Sequence, residues 1–455
     1  MQIDLVIYNI GQLVTCASND KAKKGAAMRD VGLIENGAVA VNEGIIVAIG
    51  KSDDILREYK TENSIDARQK VVCPAFVECH THIVYAGDRI SEFELRIKGA
   101  TYLEIMEAGG GIVSTMKQTR EADLEELVEQ SRQRLDQLLK LGVTTCEIKT
   151  GYGLSTESEL KMLGAILKLN KTHAVDLVPT LLAAHAVPPE YKGKTDEFVD
   201  LVCVEIIPYV FKLFFENLID IEKIKEEIEK QLKAGTAGIG SFALPEDEFV
   251  SLMQNNPFFI DVFCEKNAFN LEQSRRVLET GRHFGMKIKA HVDEFTNLGG
   301  ARMAIELGAT SIDHLDTISD EEILMLAKSE TIGVVTPTVN FNFGSTEFAD
   351  ARKMIDKNCA IALSTDFNPG SAPCPSLPNA MAIACRYQKL LPSEALNAAT
   401  INAAFAVGLG KKIGSIEVGK QADILILDAK DYRQLAYEFG GNCIQQVIKR
   451  GKFCV

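Results

Sequence analysis

The fold of this chain is constrained most by four apolar, strand-like segments that each lead into side chains able to bind a metal ion. The segments are residues 71–82 (VVCPAFVECHTH), 287–291 (KIKAH), 311–315 (SIDHL) and 361–366 (IALSTD). Residues two apart on an extended chain point to the same side, so His80 and His82 can reach one ion. With His291, His314 and Asp366 they offer imidazoles and a carboxylate, which are typical of catalytic zinc-type sites that keep one position open for water.

Strand-like segments alternate with helical patterns through the middle of the chain. Residues 124–141 repeat apolar side chains at spacings of three and four and end before Gly142, which is typical of a helix C-cap. The strand-like segments of this region are residues 143–148, 176–180, 258–263, 332–335 and 361–363. Such alternation predicts a parallel sheet. Metal-binding residues at several C-terminal strand ends favour a closed α/β (β/α)8 TIM-like barrel.

Both ends of the chain are rich in short β-like runs separated by turn residues. We therefore expect three parts. Residues 1–73 form the N-terminal part of a small β-sandwich domain, and residues 74–395 form the barrel. Residues 396–455 form a helix and return strands that complete the sandwich.

We expect residues 212–257 to be an insertion of about forty residues in the barrel, since an ordinary connection has only a few residues. Within it, Ile221, Ile224, Ile228 and Leu232 lie at helical spacing. A surface helix is the favoured interpretation, and a dimer contact or a lid is the alternative.

Charge and composition exclude several classes of partner. The formal net charge of −14 argues against nucleic acid and anionic membranes as partners. The first residues lack a basic region followed by a long apolar run, so we expect no signal peptide. No apolar stretch reaches the roughly 18 residues of a membrane span. The 11 cysteines contain no Cys-x-x-Cys pair, which predicts reduced thiols and a cytoplasmic location.

Eight motifs spread over nearly the whole chain carry a family resemblance. They are residues 74–82 (PAFVECHTH), 86–89 (AGDR), 92–96 (EFELR), 108–112 (AGGGI), 147–154 (EIKTGYGL), 184–188 (AHAVP), 365–371 (TDFNPGS) and 414–423 (GSIEVGKQAD). The first and last resemble the opening and closing segments of the amidohydrolase superfamily. Within that superfamily, the ordered set is most similar to the imidazolonepropionase family of histidine degradation.

The resemblance implies one metal ion, Zn or Fe, held by His80, His82, His291 and Asp366. It places His314 close enough to polarise the substrate or water. The local sequence alone leaves His314 open between a ligand and a hydrogen-bonding neighbour, and it leaves Asp366 open between a ligand and a turn aspartate.

Lys149 raises the alternative of two metals, since some amidohydrolases bridge two ions with a carboxylated lysine at a strand end. Glu147 lies two residues before it, and an ion pair with a carboxylate is the favoured interpretation. We therefore predict a mononuclear site.

The resemblance implies hydrolysis of the ring C–N bond of 4-imidazolone-5-propanoate, which gives N-formimidoyl-L-glutamate. Asp366, His314 and Glu294 are the implied catalytic residues, and either carboxylate can take the first proton. The implied substrate contacts are Arg89, Tyr152, His185, Glu294, Asn368, Gly370 and Ser371. Arg89 can grip the propionate with its planar fork. The turn after Asp366 offers backbone N–H and hydroxyl groups to the substrate or product.

Two other functions stay open. One keeps the fold and changes the substrate, as in a deaminase or another cyclic amidase; Arg89 argues against a ring without a carboxylate. The other is a non-catalytic scaffold, which would have lost metal ligands that this chain retains. We also expect a homodimer acting on a small molecule.

Overall fold

The computed structural model describes residues 1–99, 110–218 and 246–455, and two β-sheets organise them. The strands are β1 Leu5–Val14, β2 Leu33–Asn42, β3 Ile45–Lys51, β4 Ser64–Asp66, β5 Val71–Pro74, β6 Phe76–Glu78, β7 Val143–Lys149, β8 Asp176–Ala184, β9 Phe259–Cys264, β10 Lys287–Ile288, β11 His291–Val292, β12 Ser311–His314, β13 Ile332–Val335, β14 Ile361–Leu363, β15 Ile424–Leu427, β16 Ile444–Lys449 and β17 Lys452–Phe453.

The central sheet is a parallel barrel that runs from β6 to β14. β10 and β11 are two short pieces of one strand position, and both pair with β9. Thr81 and Phe367 form a parallel bridge just beyond β6 and β14, and the His82 N–H donates to the Phe367 carbonyl at 2.9 Å. The first and last strands thus meet, and all C-terminal strand ends face one mouth. The predicted α/β barrel is confirmed.

The second sheet joins the two ends of the chain. Its order is β17-β16-β15-β5-β1-β2-β3, with β4 paired to β1. β15 pairs with β5, which links the C-terminal strands to the N-terminal ones. Ile424 and Ile426 share one buried cluster with Val39, while Leu425 and Leu427 pack into the barrel core. Because both halves of the sheet enclose one core, the terminal strands form the expected small β domain against the barrel.

The helices cover the outside of the barrel and the connections at its mouth. The α-helices are Ser52–Glu58, Ile90–Ile97, Ile112–Glu121, Leu124–Lys140, Thr156–Thr172, Thr195–Leu201, Ile207–Leu218, Glu246–Asn255, Leu271–His283, Gly300–Glu306, Asp320–Lys328, Pro337–Asn342, Ala351–Asp356, Leu377–Tyr387, Pro392–Ala399, Ile401–Ala406 and Gln434–Tyr437. Short 3-10 turns lie at Gly25–Arg29 and Pro189–Tyr191, and a π-helical turn lies at Val202–Ile206.

Local sequence explains the helix ends where caps are present. The Asp123 carboxylate accepts the N–H of Glu126 and begins the helix Leu124–Lys140. Gly142 follows that helix with φ +91°, a conformation that favours glycine.

The helix predicted at 221–232 lies outside the described residues. Within the described ranges, no helix combines the length and apolar character that crossing a bilayer requires.

Candidate active site

The barrel brings the four predicted metal ligands and His314 together at its mouth. His80 and His82 follow β6, His291 begins β11, His314 ends β12, and Asp366 follows β14. All five are buried, with exposed fractions of 3 % or less. Because the strands are parallel, their C-terminal ends converge on one point although these residues span almost 290 positions of sequence.

Four of these residues present ligand atoms at coordination spacing. Asp366 Oδ1 lies 3.5 Å from the Nε2 atoms of both His80 and His82. The Nε2 atoms of His82 and His291 are 3.3 Å apart. Tetrahedral coordination with metal–nitrogen bonds of about 2.0–2.1 Å places neighbouring ligand atoms roughly 3.3–3.4 Å apart. The ligand atoms of His80, His82 and His291 all lie within 4.8 Å of one another, and so do those of His80, His314 and Asp366. Because the two triads share His80, they describe one candidate metal site.

Two buried carboxylates that the sequence analysis missed orient the ligand rings. His80 Nδ1 is 2.7 Å from Asp313 Oδ2, which leaves Nε2 facing the cluster. His291 Nδ1 is 3.0 Å from Asp261 Oδ2, although its direction is poor for a hydrogen bond. A signal was available for Asp261, since an acidic residue in the apolar run 258–263 needs a buried partner.

The residues fit a metal ion chemically. His80 Nε2 and Asp366 Oδ1 are buried without a hydrogen-bond partner among the described residues. Burial lowers the pKa values of His80 and His82 well below their usual range, so the imidazoles stay neutral as metal ligation requires. Orphaned lone pairs at coordination spacing are what a bound cation would satisfy.

Lys149 is held in a buried ion-pair network beneath this cluster. Its Nζ atom lies 2.8 Å from both Glu147 Oε1 and Asp261 Oδ2, and 3.6 Å from Asp313 Oδ2. Burial opposes its charge, but these three carboxylates outweigh burial and raise the pKa of Lys149. A protonated amine does not react to form a carbamate. The network thus supports the ion-pair interpretation and a mononuclear site.

Glu294 lies beside His314, whose ligand atom belongs to the triad with His80 and Asp366. His314 Nδ1 is 3.1 Å from Thr336 Oγ1, and its Nε2 atom is 3.8 Å from Glu294 Oε2. The His314 backbone has φ +83°, a strained conformation for a residue with a side chain. Burial, and then the charge of Asp366, raise the pKa of Glu294 well above its usual range. Burial lowers the pKa of the His314 ring well below its usual range, so this ring is neutral and can form hydrogen bonds, while Glu294 with its raised pKa is the candidate for proton transfer.

A cavity of about 600 Å³ opens over the cluster and gathers the predicted substrate contacts. Lining residues named by the sequence analysis are His82, Arg89, Tyr152, His185, His291, Glu294, His314, Asp366, Asn368, Gly370 and Ser371. His80 lies fully buried beneath it. The lining residues that the sequence analysis did not select include Glu92, Arg96, Phe263, Glu265 and Phe343.

Tyr152 and His185 stand together on one wall. The His185 ring stacks on His82 with centroids 5.0 Å apart, and the Tyr152 ring lies 5.4 Å from His185. His185 Nδ1 is 3.0 Å from the Gly151 carbonyl. Burial lowers the pKa of His185 to about 3, so its ring is neutral. This wall offers a flat, uncharged surface to a ring.

The turn after Asp366 corrects one expectation. The N–H groups of Gly370 and Ser371 donate to Asn368 Oδ1 at 2.8 and 2.7 Å. They are therefore occupied by the turn itself, and so is the Asn368 amide, which donates to the Ser371 hydroxyl at 2.7 Å. The Ser371 O–H keeps its proton to donate. Asn368 shapes this turn because an asparagine side chain can close an Asx turn.

Arg89 meets the turn from the opposite wall. A Cβ atom added to Gly370 would lie 2.0 Å from Arg89 Nη1, so glycine is the residue that leaves room for the guanidinium. Arg89 is already paired with Glu92, with Nη2 at 2.6 Å from Oε2. Arg96 Nη2 donates to the Gly370 carbonyl at 3.0 Å. The spacing of Arg89, Glu92 and Arg96, three and then four residues apart, was the overlooked signal of a shared helix face.

Known proteins match this chain over nearly its whole length. The family model described as "Amidohydrolase family" matches residues 71–454. The imidazolonepropionase of Chloroflexus aggregans is 50 % identical over 452 residues, which is 99 % of this chain and 98 % of that protein. The imidazolonepropionase of Geobacillus kaustophilus is 44 % identical and covers 99 % and 98 %.

Solved structures show the same fold at low identity. An adenosine deaminase from Xanthomonas campestris with bound zinc has a TM-score of 0.65 at 18 % identity, over 99 % of this chain and 93 % of that one. Guanine deaminase from E. coli has a TM-score of 0.67 at 16 % identity, over 99 % of both chains. The family model, the full-length relatives and the barrel agree: this chain belongs to the amidohydrolase family, among relatives named imidazolonepropionase.

Proposed function

We propose that this chain hydrolyses the ring C–N bond of 4-imidazolone-5-propanoate to N-formimidoyl-L-glutamate in L-histidine degradation. One observation carries the proposal: a single cavity combines a buried His/Asp cluster with an arginine-bearing wall. The cluster suits hydrolysis of a cyclic amide, and the arginines suit a carboxylate on the same small molecule. The full-length relatives named imidazolonepropionase support this substrate.

His80, His82, His291 and Asp366 are the residues that would hold the metal ion. Imidazole and carboxylate ligands suit both zinc and iron, and we propose one such ion per chain. When bound, the ion supplies Lewis-acid polarisation and a water of lowered pKa.

The protein's own side chains move the protons. In the proposed mechanism, the Asp366 carboxylate accepts a proton from the attacking water and returns it to the leaving ring nitrogen. Glu294 hydrogen-bonds a ring nitrogen or that water. His314 Nδ1 pairs with Thr336 Oγ1, and we propose that the hydroxyl is the donor, which assigns the proton of the ring to Nε2, an atom without a partner in the described ranges. His314 Nε2–H then stabilises the oxyanion that develops at the carbonyl.

The cavity walls orient the substrate. We propose that Tyr152 and His185 contact the ring and the carboxylate, that Arg89 binds the propionate, and that Ser371 donates its hydroxyl proton to the substrate or product. Asn368 and Gly370 act by holding this turn against Arg89. Because the Arg89 side chain is only 16 % exposed, a charged contact there is stronger than at an exposed surface.

A comparison of substrate classes tests the proposal. The expected result is efficient turnover of 4-imidazolone-5-propanoate and at least about a hundredfold lower kcat/KM for adenine or guanine, whose rings bring no carboxylate to the arginines of the wall. Preferred deamination of a nucleobase would show that the chain shares only the fold and the metal chemistry.

We also propose that the chain is a cytoplasmic homodimer. All 11 cysteines are free thiols, which suits a reducing compartment. Tyr437 and Phe439 are 77 % and 64 % exposed, and the Arg386 guanidinium lies 5.8 Å from the centre of the Phe439 ring. We propose this apolar surface as the dimer contact. Sedimentation of the wild type should give twice the chain mass, and sedimentation at the monomer mass at micromolar concentration would contradict the assignment.

A further inference from the structure

Two arginines of the cavity wall belong to one short segment. Arg89 immediately precedes the helix Ile90–Ile97, and Arg96 lies near its end. Glu92 lies between them, three residues after Arg89 and four before Arg96, so the three side chains share one helix face. All three line the cavity. The wall therefore carries two cations and a single carboxylate from this helix.

Glu92 is fully engaged without Arg96. Its Oε2 atom accepts from Arg89 Nε at 2.8 Å and lies 2.6 Å from Arg89 Nη2. Its Oε1 atom accepts the Gly111 N–H at 2.8 Å. Both oxygens of Glu92 thus have partners, and its charge is matched by Arg89.

Arg96 keeps an unmatched charge. Its Nη2 atom donates to the uncharged Gly370 carbonyl, and its guanidinium lies 5.6 Å from the centre of the Phe343 ring. Its Nε atom is buried without a partner, and the described part of the chain places no carboxylate in an ion pair with Arg96. A half-buried guanidinium whose Nε atom is withdrawn from solvent is more stable when a ligand provides a counter-ion.

The surroundings of Arg96 favour an anion beside it. Burial, and then the positive charge of Arg89, lower the pKa of Arg96. A carboxylate placed between the two guanidinium groups would offset both effects. The Gly370 backbone, in contact with both arginines, fixes this position beside the turn that begins at Asp366.

We infer that Arg96 is the specificity-determining residue for the substrate carboxylate, supplying the unmatched positive charge of a two-arginine clamp in which Arg89 is neutralised by Glu92. This inference rests on the proposed function and refines it. Arg89 gives the clamp its geometry, and Arg96 gives it the net charge that selects an anionic tail over a neutral one.

Charge rescue tests the inference. Arg96→Met should lower kcat/KM for 4-imidazolone-5-propanoate at least about thirtyfold, since losing one partner of a desolvated charge pair costs at least about 2 kcal/mol. The same variant should change kcat/KM little for the propanamide analogue. The double variant Arg96→Met/Glu92→Gln releases Arg89 from its counter-ion and restores the net charge of the wall, so it should recover at least about tenfold for the carboxylate substrate.

The controls separate the possible failures. Lys98→Met removes one positive charge from the exposed end of the same region, where Lys98 is 67 % exposed, and should leave both activities unchanged. Metal content and circular dichroism report whether each variant is folded and loaded. Equal losses on both compounds, or no recovery in a folded double variant, would overturn the inference. If the wild type does not hydrolyse 4-imidazolone-5-propanoate, the proposed function itself fails.

Discussion

Asp313 and Asp261 show that the candidate metal site depends on residues behind the ligands. Each carboxylate lies within 3.0 Å of the Nδ1 atom of one histidine and also faces the Lys149 ammonium. Asp313 leaves Nε2 of His80 facing the cluster, and both carboxylates balance the buried charge of Lys149. Three groups of residues can be tested by substitution: the proposed metal ligands, the carboxylates behind them and the arginines of the cavity wall. We expect a different effect from each group.

Replacing any of His80, His82, His291 or Asp366 by Ala should abolish both metal binding and turnover. Each removes one of four ligand atoms and leaves its neighbours without a cation. Elemental analysis of the purified wild type should give about one ion per chain, because the two candidate triads of ligand atoms share His80 and so describe one site. Stoichiometric metal with near-normal activity in His80→Ala would refute the ligand assignment.

Asp313→Ala should weaken metal binding about 10- to 100-fold without removing a ligand, the usual cost of losing a carboxylate behind a ligating histidine. The reason is that His80 Nδ1 loses its acceptor, so the ring is no longer held in one tautomer and orientation. Competition with a chelator of known affinity measures the change. An unaltered metal affinity in a folded variant would mean that His80 is oriented by packing alone.

Arg89→Met should lower kcat/KM for the propionate substrate by roughly thirtyfold to several thousandfold, the equivalent of about 2–5 kcal/mol for a desolvated charge pair. Its loss also frees Glu92 to pair with Arg96, which would neutralise the remaining cation. Arg89→Lys keeps the charge and loses the planar fork, so an intermediate loss is expected.

Metal content should not change in either Arg89 variant. An imidazolone that lacks the carboxylate provides the comparison, because the wild type should handle it poorly and Arg89→Met should handle it no worse. Equal losses on both compounds would show that Arg89 only maintains the structure of the mouth.

At the scale of secondary-structure elements, the loop after β7 is positioned by the helix that follows it. Glu159, in the first turn of the helix Thr156–Thr172, is completely buried. Its Oε1 atom accepts the N–H groups of Gly153 and Leu154 at 2.9 and 2.8 Å, and its Oε2 atom accepts the Gly151 N–H at 3.2 Å. One carboxylate thus fixes the loop that carries Tyr152.

Glu159→Ala should destabilise the protein by about 3 kcal/mol or more, since three buried N–H groups lose their acceptor at about 1–3 kcal/mol each. Because Tyr152 would shift, kcat/KM should also fall while metal content stays constant. Denaturant unfolding with a parallel metal assay measures both. Glu157→Ala, at an acidic neighbour in the same first turn, is the matched control. Equal stability of the two variants would mean that the loop keeps its conformation without the hydrogen bonds to Glu159.

The alternation of strands and helices was predictable because each element shows its own periodicity over several residues. The convergence of His80, His291, His314 and Asp366 was predictable for the same reason, since parallel strand ends meet at one edge. Contacts between distant elements leave no such pattern. That the Asn368 side chain would occupy the N–H groups of its own turn depends on side-chain rotamers that sequence spacing does not encode.

At the scale of the whole molecule, the terminal sheet and the barrel are joined by both ends of the chain. β5 ends at Pro74 and β6 begins at Phe76, so the strand that precedes the metal ligands is anchored in the terminal sheet. β15 pairs with β5 and packs its other face on the barrel. The terminal sheet therefore anchors the beginning of the strand whose other end leads to His80 and His82.

The most direct test adds the purified, metal-loaded protein to 4-imidazolone-5-propanoate and follows the ultraviolet absorbance of the ring while the product is identified by mass. We expect the absorbance to fall and one N-formimidoyl-L-glutamate to form for each substrate consumed, with no reaction after chelation of the metal. Persistence of the absorbance, or release of ammonia in place of N-formimidoyl-L-glutamate, would contradict this expectation.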